Sequence, residues 1–122
     1  MTDEITPVPA GRGKIEISPA AIATIAAHAV SRTYGVVGMA SKNVVDGIAN
    51  TLTGDPHKGI EVRFDGQTVS IDLYVIVEYG TRISAVARSA AGAVRFNVEE
   101  STGLPVTEVN VYVQGLRVSN TD

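Results

Sequence analysis

Residues 69–80, Val-Ser-Ile-Asp-Leu-Tyr-Val-Ile-Val-Glu-Tyr-Gly, limit what this chain can fold into more than any other stretch. Val69, Ile71, Leu73, Val75, Val77 and Tyr79 fall on one side of an extended backbone. Ser70, Asp72, Tyr74, Ile76 and Glu78 fall on the other. A period of two marks a long strand with one buried face. No other strand candidate is as long or as apolar, so the remaining elements should pair with it or pack on it.

Its first partner lies just upstream. Ile60, Val62 and Phe64 alternate with Glu61 and Arg63, and Asp65-Gly66 is a preferred dipeptide for a two-residue type I′ turn. Such a turn sets Phe64 opposite Gln67, Val62 opposite Val69 and Ile60 opposite Ile71. The apolar sets of both strands then share one face.

Two helices flank this hairpin in sequence. Ser18-Pro19 opens the first, with Ser as cap and Pro at the first helical position. Ile22, Ile25, Ala26, Ala29 and Val30 form its apolar stripe, and Gly35 should terminate it. The second opens at Thr81 or Arg82, turns Ile83, Val86, Ala87, Ala90, Val94 and Val98 inward, and stops at Gly103 and Pro105. Arg88 and Arg95 share its outer stripe, where Glu99 stands four residues beyond Arg95.

The rest is shorter. Residues 14–18 read as a strand with Ile15 and Ile17 inward, and residues 35–40 as a short strand or extended connection. Residues 42–53 carry Val44, Val45, Ile48, Ala49 and Leu52 at helical spacing, but Gly47 costs that helix about 1 kcal/mol relative to Ala. A last strand, residues 106–114, turns Val109, Val111 and Val113 in and Glu108, Asn110, Tyr112 and Gln114 out. A helix joins it to the central strand, so the two should run parallel. The expected architecture is an α+β two-layer sandwich, with two main helices on one face of a small mixed β-sheet. Residues 1–12 read as a flexible N-terminal tail, 13–116 as the domain and 117–122 as a C-terminal tail.

Composition bounds the function. A chain of 122 residues makes one domain, and with no Cys it has neither a disulfide framework nor a thiolate site. The formal charge of −3 argues against a nucleic-acid binder. No apolar run approaches a membrane span and the N-terminus lacks a signal-peptide layout, so the expected location is cytoplasmic.

No catalytic, cofactor or metal site emerges. His28 lies on the flank of a helix stripe and His57 in a Pro-containing loop, neither with a carboxylate at ligand spacing. Asp3-Glu4 and Glu99-Glu100 are adjacent pairs, and neighbours on a helix do not face each other. Arg82, Arg88 and Arg95 read as a solvated helix face. Gly35-Val-Val-Gly38 has the spacing of the loop with which KH domains clamp a nucleic-acid backbone, but two valines stand where polar residues would serve. That motif supplies the alternative function, a KH-like nucleic-acid-binding domain using Gly35 and Gly38. The candidate partner surface is the far side of the sheet, where Tyr74, Ile76 and Tyr112 sit among Asp72, Asn110 and Gln114. Either it is a contact face or the 42–53 segment covers it.

The ordered set of Gly13-x-Ile15-x-Ile17-Ser18, Gly35-Val-Val-Gly-Met39, Glu78-Tyr79-Gly80 and Val106-x-x-Val109-Asn110-Val111-x-Val113 resembles the bacterial alkaline shock protein family, also called the Gls-type envelope stress response family. Ala90 and Ala91 depart from it where the family often carries a Gln. The resemblance implies a non-enzymatic, cytoplasmic envelope stress response protein without a cofactor. It also implies a scaffold that self-associates into an oligomer and reaches the membrane through a membrane-anchored protein, without inserting itself.

Overall fold

The computed structural model describes residues 6–10 (backbone only), 13–42 and 54–119. In chain order these form β1 (Thr6–Ala10), β2 (Gly13–Ile17), α1 (Pro19–Ser31), β3 (Val36–Met39), a short 3-10 turn (Pro56–Gly59), β4 (Ile60–Phe64), β5 (Val69–Glu78), α2 (Ile83–Thr102) and β6 (Val106–Arg117). From residue 43 on, the expected 42–53 helix lies outside the described residues.

β5 is the axis of a mixed four-stranded sheet. One of its edges carries two short antiparallel strands in succession, β4 against Val69 to Leu73 and β3 against Val75 to Val77. Its other edge pairs with β6, parallel, along the whole length. α1 packs over β4 and β3, α2 packs over β6, and the helices pack on each other. The two helices therefore share one face of the sheet, as the binary pattern requires. Val69, Ile71, Leu73, Val75 and Val77 are fully buried beneath them, with Ile22, Val30, Val94 and Val98.

The helix ends follow from local chemistry. Ser18 Oγ accepts from Ala21 N–H, and Pro19 opens α1. α2 ends at Gly103 in a left-handed conformation. Gly35 also has positive φ, +95°, and a Cβ there would stand 2.6 Å from Val86 Cγ2. Only glycine lets the chain turn from α1 into β3 directly against α2.

Several expectations change. The β4–β5 hairpin forms and keeps its apolar face, but its register is two residues further along, with Phe64 opposite Val69 and Ile60 opposite Leu73. The Asp65 carboxylate accepts from the N–H groups of Gln67 and Thr68, which opens a four-residue turn in place of the two-residue one. Those bonds hold its pKa below the ordinary range. A shift of two preserves the buried face, which is why alternation alone does not detect it.

Thr6–Ala10, within the stretch expected to be a tail, is a strand that pairs with β2 in a separate ribbon. Ile17 packs against the core, whereas Ile15 is 50% exposed because the ribbon has no covering layer over it. Tyr79 lies past the end of β5 and is exposed. β6 continues to Arg117, three residues beyond the expected end, because a bulge between Val113 and Gly115 absorbs Gln114.

Candidate interaction surface

Alternation along β5, β4 and β6 sends Ser70, Asp72, Tyr74, Glu61, Arg63, Glu108, Asn110 and Tyr112 to the side away from the helices. Asp72 is the hub. Only 7% of it is exposed, and Arg63 grips it through two hydrogen bonds of 2.7 and 3.1 Å. From the other side, Asn110 Nδ2 donates to Asp72 Oδ1 at 2.9 Å and to Glu108 Oε2 at 2.8 Å. Side chains from three strands thus join in one polar row across the sheet. The Arg63 bond, helped by Asn110 and opposed by burial, holds the Asp72 carboxyl below its usual pKa. The same pair raises the Arg63 guanidinium.

One step along the strands, Tyr74 and Tyr112 are direct neighbours in the β5–β6 ladder. Their rings stack with centroids 4.9 Å apart and planes inclined by 18°. Burial, with the Asp72 charge, pushes the Tyr74 phenol up in pKa, which keeps it a neutral hydroxyl. Tyr112 is 42% exposed. Ile76, expected beside them, falls on this side of β5 but is 1% exposed, so a partner would not meet it. The surface consists of the tyrosine stack and the polar row. Sequence reasoning found the tyrosines and missed the row. The expected register puts Arg63 opposite Thr68, too far from Asp72, whereas the observed register puts it opposite Ser70 and diagonal to Asp72.

The other candidates are occupied in the structure. Gly35-Val-Val-Gly38 leads into β3, a strand in the main sheet, and Gly35 C=O accepts from Glu78 N–H. A clamp needs those groups in an open loop, so the KH-like loop is absent here. Arg95 and Glu99 do not pair with each other; both hold the backbone of Val106, Arg95 donating to its C=O and Glu99 accepting from its N–H at 2.9 Å. His57 Nε2 meets Thr24 Oγ1 at 3.0 Å, which ties the 3-10 turn to α1.

A hollow of about 430 Å³ opens at the start of α2, lined by Tyr34, Thr81, Arg82, Ala85, Val86 and Ser89. It has no carboxylate or histidine in its wall. None of the described hollows joins a histidine to a carboxylate. Among the described residues no cluster of three or more His, Cys, Asp or Glu is placed to hold a metal. None of the described helices is long and apolar enough to cross a membrane.

Comparison with known proteins gives a consistent result. The uncharacterized protein YloU of Bacillus subtilis (strain 168) is 46% identical over 110 residues, which cover 88% of this chain and 92% of that protein. Spy1614 of Streptococcus pyogenes is 38% identical over 87% of this chain and 89% of its own. YqhY of Bacillus subtilis is 32% identical over 86% and 78%. Among solved structures, a zinc form of a MamM CTD superposes with a TM-score of 0.48 at 15% identity, over 84% of this chain and 87% of that one, a likeness too distant to carry an argument. A family profile matches residues 8–118, and the chain therefore belongs to the alkaline shock protein family, described by a cell envelope-related function.

Proposed function

We propose that this protein is a non-enzymatic scaffold of the cell envelope stress response. It works in the cytoplasm, self-associates, and reaches the membrane by docking to a membrane-anchored protein. The observation that carries this reading is the uncovered Tyr74–Tyr112 stack, fixed in place by the polar row beside it. Half-exposed aromatics held in one geometry lose little conformational freedom on binding, which makes them efficient contact residues. The described hollows supply no acid–base pair, so the chemistry of the surface is that of contact.

A tagged copy captured from source cells, with and without nuclease, tests the proposal. Nuclease-resistant retention of untagged copies and of a membrane protein is the expected result. Retention of RNA or DNA as the main species, lost on nuclease treatment, would overturn it.

A further inference from the structure

β6 pairs with β5 along one edge and, among the described residues, with no strand along the other. Val69 N–H donates to Pro105 C=O and Tyr79 N–H to Arg117 C=O, whereas Tyr74 C=O and Glu78 N–H bond on the β3 side. The odd-numbered residues of β5 therefore aim their backbone groups at β6. In a parallel ladder the residues opposite them aim theirs away. Those residues are Val109, Val111, Val113 and, beyond the bulge, Leu116. Their N–H and C=O groups line an open edge.

Natural sheets blunt such an edge with Pro, Lys or short length. Residues 106–117 contain neither Pro nor Lys. β6 is 12 residues long, against 5 and 4 for β4 and β3 on the opposite side of the sheet. Its bulges bracket residues 108–113, which run without a shift.

We infer that this edge pairs antiparallel with β6 of a second copy, about a two-fold axis through Tyr112. The inference rests on the self-association proposed above and gives it a register. With Gln114 skipped at the bulge, Tyr112 meets the second copy's Tyr112, Val111 its Val113, Val109 its Leu116, Asn110 its Gly115 and Glu108 its Arg117. Every pair joins residues of the same face. Val111 with Val113, and Val109 with Leu116, are the pairs whose backbone groups already face outward, so they form the hydrogen-bonded rungs. Tyr112 occupies a non-bonded rung, where side chains approach most closely, and the two stacks become a row of four rings. The charges agree as well. Glu108 and Arg117 are exposed, and among the described residues no carboxylate pairs with Arg117. The two-fold axis sets each opposite the other, twice.

The absence of Cys makes the register testable by cross-linking. Non-bonded antiparallel partners have Cα atoms about 4.5 Å apart, within the span of a disulfide. Glu108→Cys and Arg117→Cys proteins, mixed under reducing conditions and then oxidised, should give the mixed disulfide dimer as the main product, while neither alone should cross-link. A second variant, Val111→Pro, removes an outward N–H and leaves the β5 ladder intact. It should be folded by circular dichroism and monomeric by sedimentation. Wild-type oligomers with no mixed cross-link and unchanged association of Val111→Pro would overturn this register and leave the self-association reading standing. A wild-type protein that stays monomeric at every concentration would overturn both.

Discussion

The two faces of β5 are built from the same ten residues and are held in different ways. On the helix side, five apolar side chains are fully buried, and their contribution is nondirectional burial. On the other side, Asp72 is fixed by Arg63 and Asn110, and Tyr74 by stacking on Tyr112. The helix side determines that the chain folds. The other side costs directional contacts to keep ordered and leaves an aromatic half exposed, an arrangement suited to meeting another surface. Substitutions should therefore separate stability from association according to face.

Leu73→Ala, at the centre of the buried face, should give the largest loss of stability, about 3 kcal/mol by chemical denaturation. A loss below about 1 kcal/mol would place the core elsewhere. Gly35→Ala comes next, because positive φ and the approach to Val86 act together. It should cost about 2 kcal/mol, and Val86→Ala in the same chain should recover part of that. Strict additivity of the two would mean that the close approach carries no strain.

Asp72→Asn should cost about 1–2 kcal/mol at neutral pH. The Arg63 bond lowers the folded pKa of Asp72 below its unfolded value. Its contribution is thus full above about pH 4 and is lost as pH falls through the lower folded pKa. The variant should lose stability less steeply than wild type below about pH 4. It should not lose all pH dependence, since Asp65 is also lowered. An unchanged acid limb would remove Asp72 from the account. The smallest effect belongs to the rings. A double-mutant cycle of Tyr74→Ala and Tyr112→Ala should give a coupling of about 1 kcal/mol, and zero coupling would mean that the stack adds nothing to the fold.

Much of this was legible in the sequence. Alternation identifies β5 and both of its faces, Ser18-Pro19 marks the start of α1, and the helix between β5 and β6 implies their parallel pairing. What escaped depends on single side chains acting outside any period. The Asp65 carboxylate reshapes the hairpin turn, and with it the position of Arg63 relative to Asp72. The bulge at Gln114 resets the alternation and hides the last three residues of β6. Ile15 and Ile76 carry the right hydropathy for the wrong environments, exposed in a ribbon and buried on the outer face. No pattern of residue types distinguishes those cases, because burial there is set by which element lies on top.

The central claim is that the outer face of the sheet serves association and is not needed to fold. Sedimentation velocity across a concentration series, on wild type and on the Tyr74→Ser/Tyr112→Ser variant, tests it most directly. Wild type should shift with concentration from the 12.7 kDa monomer toward larger species, while the variant stays monomeric with an unchanged circular dichroism spectrum. Equal association of the two proteins would contradict the account.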